Sequence, residues 1–288
     1  EASHGCLHRC RHCPVPVVYD GRVRVVTADV VLGDVEAQVA AGARHITFGD
    51  ADFLNAPRHS LRVVAELHRR FPGVTFDCTA KVEHILRHAG LWPELAEYGC
   101  LFVVSAFESV NDDILARLDK GHTAAEAAAA TELLRRHGIE VRPSFLPFTP
   151  WTTLGDVLDL LDFVAAHDLV GNVDPVQYTI RLLLPEGSLL LAEPSLVPYL
   201  GDYDAERLTW TWSAADPAVD RLQRRLATLV EQSLRAGEPL GTTYLRVRSA
   251  ALEAAAGREP GPGPSLEPGL LPLASGDARP RLTEPWFC

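Results

Sequence analysis

The sequence predicts an α/β fold: a partial (β/α)6 barrel followed by a C-terminal helical extension and an extended Gly/Pro-rich tail. Three observations carry that expectation. Strand-like and helix-like segments alternate at intervals of roughly 25 to 40 residues, the rhythm of a parallel sheet with helices outside it. The run CLFVVSAFES, residues 100–109, is apolar without alternation, as in a strand buried on both faces. The rhythm stops near Pro194, and residues 257–288 are rich in Gly and Pro.

Taken in order, a first strand should precede the cysteine-rich loop, and only EASH remains of it. A helix is expected over 28–43 and a strand over 43–50. Helical spacing over 60–73 ends at Pro-Gly, and a strand follows over 74–80. The helix over 82–99 should break near Pro93, before the strand at 100–109. Residues 123–138 are strong helix formers that end on Gly, followed by a strand over 139–148. A helix over 153–168 opens on Thr153, a good N-cap. A last strand is expected over 174–185. Five strands after the cysteine segment, plus the first, make six. In such barrels the chemistry sits at the C-terminal ends of the strands. The expected division is 1–193 for the barrel, 194–256 for the helical extension and 257–288 for the tail. The extension includes one amphipathic helix within 208–237.

Charge and composition narrow the partners. The 288 residues carry a net charge of -11 and show no basic stripe, which argues against DNA or RNA. The basic run RLQRR reads as the solvated face of a helix. No apolar run reaches the roughly 18 residues of a membrane span. The chain has no Met and begins almost on its first cysteine, so it reads as a fragment trimmed at the N-terminus. Its six cysteines lack the paired spacing of a small secreted framework, so a reducing cytoplasm is the expected compartment.

Cys6, Cys10 and Cys13 stand in HGCLHRCRHCPVP with the spacing C-x3-C-x2-C. Thiolates so placed serve a soft metal. One reading is zinc, with His8 or His12 as a fourth ligand. Structural zinc sites, though, favour two separated C-x2-C knuckles. The other reading is a [4Fe-4S] cluster in which three thiolates leave one iron open. Cys78 and Cys100 lie singly in apolar segments and read as small buried hydrophobes.

The trio, with TFGDADF (47–53), SAFESVNDDILARLDKGHT (105–123), EVRPSFLPFTPW (140–151) and YTIRLLLPEGSLLL (178–191), resembles the radical SAM superfamily. His12 departs from the pattern by replacing an aromatic residue before the third cysteine. The resemblance implies a [4Fe-4S] cluster on Cys6, Cys10 and Cys13, and S-adenosylmethionine chelated to its open iron. It places Gly49 and Asp50 in a loose match to the Gly-Gly-Glu-like motif. It turns Ser105, Glu108 and Ser109 toward the cofactor and makes Arg142 a candidate for the cofactor carboxylate. Lys81 is a second positive charge for a carboxylate. Arg181 is expected to reach the active site, and an arginine in so apolar a run needs a carboxylate or phosphate partner. The implied partners are a small-molecule substrate and an electron donor such as flavodoxin or ferredoxin.

Together with the ending EPWFC, these segments resemble the radical SAM proteins with a Cys-Cys-Ala-Glu-Pro or Cys-selenocysteine-Ala-Glu-Pro tail. The chain stops at Cys288, where the first tail cysteine would stand. Trp286 and Phe287 are expected to dock and to steer Cys288. That thiol would then serve as a ligand for a soft acceptor such as trivalent arsenic, or as a redox partner. Two other functions stay open: a 5'-deoxyadenosyl-radical enzyme acting on an unrelated organic substrate, and a non-catalytic zinc or iron-sulfur barrel.

Overall fold

A computed structural model describes residues 1–257 and 279–281. The expected roles of Trp286, Phe287 and Cys288 lie outside the described residues. Along the chain run β1 (Ser3–Gly5), α1 (Val15–Tyr19), β2 (Val23–Val25), α2 (Ala28–Ala40), β3 (His45–Phe48) and α3 (Pro57–Arg70). Then come β4 (Thr75–Thr79), α4 (Val82–Arg87), α5 (Trp92–Glu97), β5 (Cys100–Glu108), α6 (Asp112–Arg117), α7 (Ala124–Arg136) and β6 (Glu140–Phe145). The remainder is α8 (Leu154–Ala166), β7 (Leu200–Asp204), β8 (Thr209–Trp212), α9 (Pro217–Ala236) and α10 (Leu240–Ala255). Two compact units result: Glu1–Phe107 with Ala125–Pro143, and Glu108–Ala124 with Ser144–Cys288.

The core of the first unit is a sheet of order β3-β4-β5-β6. β3 pairs in parallel with β4 from His45↔Thr75 to Phe48↔Cys78, and β4 pairs in parallel with β5. Phe48, Phe76, Cys78, Phe102 and Val103 are buried, while Thr47 is exposed and Leu101, Val104 and Ala106 are half-buried, so β3 and β5 alternate in burial more than their apolar runs suggest. The Phe48 and Phe53 rings sit 4.9 Å apart, and Phe48 meets Phe76 edge-on at 5.8 Å. Each such ring contributes about 1.5–3 kcal/mol by leaving water. α2 and α3 pack on one another and bury Val31, Leu32 and Val35 on one helix, Val63, Val64 and Leu67 on the other. Pro93 falls in the first turn of α5, where its missing N–H costs nothing, so the helix breaks there as expected.

In the second unit α8 starts with a complete capping box. Thr153 Oγ1 accepts from Asp156 N, and the Asp156 carboxylate accepts from Thr153 N. α10 packs against both α8 and α9. The Tyr244 hydroxyl donates to Leu161 O at 2.9 Å, which satisfies the one polar atom of that buried ring. Among the described residues no helix is long and apolar enough to cross a membrane.

Three expectations need correction. The strand over 174–185 is absent. Pro175–Tyr178 form a 3-10 turn, and Arg181 makes an isolated parallel bridge with Phe148. The backbone of Leu184 instead serves the β7-β8 hairpin: Trp210 N donates to Leu184 O, and Leu184 N donates to Thr209 Oγ1. Once those groups are paired, no ladder can use them. The first strand, β1, pairs antiparallel with β2 and not within the parallel sheet. The segment expected as a helical extension opens with a 3-10 helix over Pro194–Tyr199 and then forms the antiparallel β7-β8 hairpin before α9, because TWTW suits a pleated strand better than a helix.

Candidate active site

The cysteine loop leaves β1 through Gly5, whose φ is +86°. A Cβ there would lie 2.2 Å from Arg22 O and 3.0 Å from the Tyr19 ring, so only glycine fits. Cys6 and Cys10 are buried and Cys13 is half-buried, and none of the three is in a disulfide. A turn from Cys13 N to Cys10 O at 3.1 Å folds the C-x2-C half of the motif back on itself.

The loop rests on the segments that follow β3 and β4. The Asn55 side chain accepts from Leu7 N at 3.2 Å, lies 3.9 Å from Cys6 Sγ and donates to Gly5 O at 3.4 Å. Lys81 reaches in from the end of β4, with its ammonium 3.6 Å from Cys10 Sγ and 3.9 Å from Glu83 Oε2. That ammonium is buried and faces a group that ionises to a thiolate, so it offsets negative charge where three thiolates would otherwise repel. Burial pushes the Cys6 thiol up from its ordinary value, so a metal binding there must displace a firmly held proton. Three soft donors, no disulfide among them and a cation alongside fit an iron-sulfur cluster. His8, between the first two cysteines, shares a hydrogen with His84 across 3.1 Å. Burial, followed by the charge of Lys81, lowers the pKa of His8 to about 4, so its ring is neutral at pH 7.

The other sequence candidates have partners of their own. Asp50 is buried, and its carboxylate accepts from Ala2 N at 2.8 Å and Ser3 Oγ at 2.7 Å, pinning β1 to the end of β3. The adjacent Gly49 leaves room for a Cβ, with Glu1 its nearest neighbour at 3.6 Å. Ser105 is fully buried and donates to Ala80 O at 2.7 Å. Arg142 is buried on β6 of the same unit. In the second unit, Glu108 holds a left-handed backbone, φ +63°, and its carboxylate meets the buried Lys120 ammonium at 3.3 Å. Ser109 Oγ accepts from Asn111 N. Arg181 has the carboxylate partner its surroundings require: Asp220 Oδ1 lies 2.5 Å away, and the guanidinium stacks on Trp212 at 3.5 Å.

Sequence reasoning passed over Asp52, Asn55 and His84. Asp52 is fully buried, accepts from Leu54 N and Lys81 N, and lies 2.9 Å from His84 Nδ1. The signals were present: a second acid in GDADF, and a histidine three residues beyond Lys81, one helical turn on.

Comparison with known proteins bears on this loop directly. Residues 1–164 match the family model for the radical SAM superfamily. The chain is 26% identical over 153 residues to the bacteriochlorophyllide d C-12(1)-methyltransferase of Chlorobaculum tepidum, across 50% of this chain and 32% of that protein. A second curated relative, from Methanocaldococcus jannaschii, is 26% identical over 197 residues, 42% of its length. The chain therefore spans less than half of either relative. Among solved structures, the cobalamin-dependent S-adenosylmethionine radical enzyme OxsB superposes with a TM-score of 0.67. It is 17% identical, over 81% of this chain and 41% of that one. Methylornithine synthase superposes at 0.53 with 13% identity, over 87% and 67%. These two likenesses show the fold. The family match takes in more than half of the 288 residues and includes all three clustered cysteines, so the chain belongs to the radical SAM superfamily of enzymes.

Proposed function

We propose that this chain cleaves S-adenosylmethionine reductively at a [4Fe-4S] cluster held by Cys6, Cys10 and Cys13, and uses a cofactor-derived fragment to modify a small substrate. The observation that carries the reading is the three-thiol loop, with Cys6 and Cys10 buried and the Lys81 ammonium 3.6 Å from Cys10 Sγ. The cluster, when bound, supplies the electron that breaks a carbon–sulfur bond of the cofactor.

Everything else falls to the chain. Gly5 and Asn55 set the course of the loop, and Lys81 balances thiolate charge. Asp50 acts through its grip on β1, holding the loop's entry against the end of β3. Gly49 has no side chain of its own over its backbone groups, with the Glu1 side chain its nearest neighbour, and Ser105 and Arg142 stand as further cofactor contacts on the strength of their sequence motifs. Glu108, Ser109 and Arg181 stand as cofactor contacts on the strength of their sequence motifs. The sequence of the tail favours a soft acceptor such as trivalent arsenic, presented by Cys288. Methyl transfer, the activity named for the Chlorobaculum tepidum relative, supports group transfer from the cofactor more broadly.

The test is anaerobic reconstitution with iron and sulfide, followed by incubation with dithionite and S-adenosylmethionine. Cofactor cleavage in the wild type and none in a Cys10→Ala variant supports the reading. The nucleoside product, 5'-deoxyadenosine or methylthioadenosine, identifies the bond that breaks. No cleavage by a fully loaded wild type would end it.

A further inference from the structure

We propose that His8, Asp52 and His84 form a site for one divalent transition-metal ion, zinc or iron(II), separate from the three cysteines. One donor atom from each residue lies within 4.8 Å of the other two. His8 Nε2 and His84 Nε2 stand 3.1 Å apart. Two nitrogen ligands at about 2.0–2.1 Å from a tetrahedral ion would be roughly 3.3 Å apart, so a small movement of the rings admits it.

A second observation points the same way. His84 Nδ1 is buried and lies 2.9 Å from Asp52 Oδ2, yet it makes no aligned hydrogen bond. An imidazole nitrogen and a carboxylate packed this closely, off the hydrogen-bond line, leave a buried polar atom unsatisfied, and a turn of the His84 ring that brings one of its nitrogens, His8 Nε2 and an Asp52 oxygen onto a common cation would relieve it. The supporting groups are also in place. Asp52 is held by Leu54 N at 2.9 Å and Lys81 N at 3.2 Å. Glu83 Oε2 stands 3.5 Å behind His8 Nδ1, the carboxylate–histidine arrangement that orients an imidazole ligand. The Asp52 and Glu83 carboxylates balance the Lys81 and Arg87 cations beside them, so no uncompensated positive charge opposes an incoming ion. Mixed imidazole and carboxylate donors suit zinc or iron(II) better than magnesium or calcium, and three protein ligands leave a position open. An ion here would tie the cysteine loop, through His8, to the segment after β3 and to α4.

The experiment uses the full chain carrying Cys6→Ser, Cys10→Ser and Cys13→Ser, so that clustered thiolates do not compete. Anaerobic titration with cobalt(II) should give one visible d–d chromophore per chain, bleached by one equivalent of zinc(II). Adding His84→Ala should abolish that signal. Glu83→Gln, at a partly exposed position that spares the core, should weaken cobalt binding about 10- to 100-fold. Circular dichroism checks that each variant is folded. No stoichiometric cobalt or zinc binding, or binding unchanged by His84→Ala and Glu83→Gln, would overturn the proposal. Because no thiolate takes part, failure of cluster assembly in the wild type would count against the radical reading and leave this result standing.

Discussion

Lys81 illustrates how much one side chain decides. Its ammonium is buried beside Cys10 Sγ, and its backbone N–H bonds Asp52. A unit charge near 4 Å is worth about 1–4 kcal/mol between water-like and protein-like screening. For one electron that is on the order of 40–170 mV. Lys81→Met keeps the length and loses the charge, so the midpoint potential of the reconstituted cluster should fall by that order. A potential unchanged in a potentiometric titration would remove Lys81 from the electrostatics of the loop. Glu108 carries a different burden. Its left-handed backbone costs roughly 1–2 kcal/mol, and its carboxylate is the partner of a lysine only 3% exposed. Glu108→Ala should destabilise the apoprotein by about 3–5 kcal/mol, because Lys120 is left charged and buried. Denaturant unfolding measures this directly. Full stability combined with weaker S-adenosylmethionine binding would instead make Glu108 a cofactor contact first.

At the scale of elements, the strands and helices that bury apolar runs were legible. Residues 100–109 read as a strand and β5 spans Cys100–Glu108, and Thr153, a good N-cap, announced α8. The sixth strand failed because its pattern, YTIRLLLP, is equally suited to an irregular segment whose backbone bonds a distant hairpin. Nothing local encodes that choice. Likewise, the cysteines were readable from their spacing, whereas Asp52, Asn55 and His84 gain meaning only when the segments after β3 and β4 meet the loop. Two predictions belong here. Gly5→Ala should cost more than about 1 kcal/mol in thermal unfolding, since both φ and the Arg22 carbonyl exclude a Cβ. The link between α9 and α10 gives the other. Arg246 donates to Glu238 at 2.6 Å and holds that carboxyl below its usual range. A depressed carboxylate stabilises above its unfolded value near pH 4.3, and the contribution is lost as pH falls through the folded value. Glu238→Gln should therefore cost about 0.5–1 kcal/mol at pH 7 for this partly exposed pair, and the difference should vanish in acid. A pH-independent difference would contradict the ion pair.

For the whole molecule, residues 1–164 match the radical SAM family, and the cysteine loop rests on the segments that follow β3 and β4 of the parallel sheet. The account as a whole stands on what those three thiols hold. Iron and acid-labile sulfide should therefore be measured after anaerobic reconstitution, in the wild type and in a variant with Cys6→Ala, Cys10→Ala and Cys13→Ala. The account predicts about four irons and four sulfides per chain in the wild type. The variant should lose the sulfide and hold at most about one iron, the ion that His8, Asp52 and His84 would keep, with its helix content unchanged. Comparable iron and sulfide in the two proteins would contradict it.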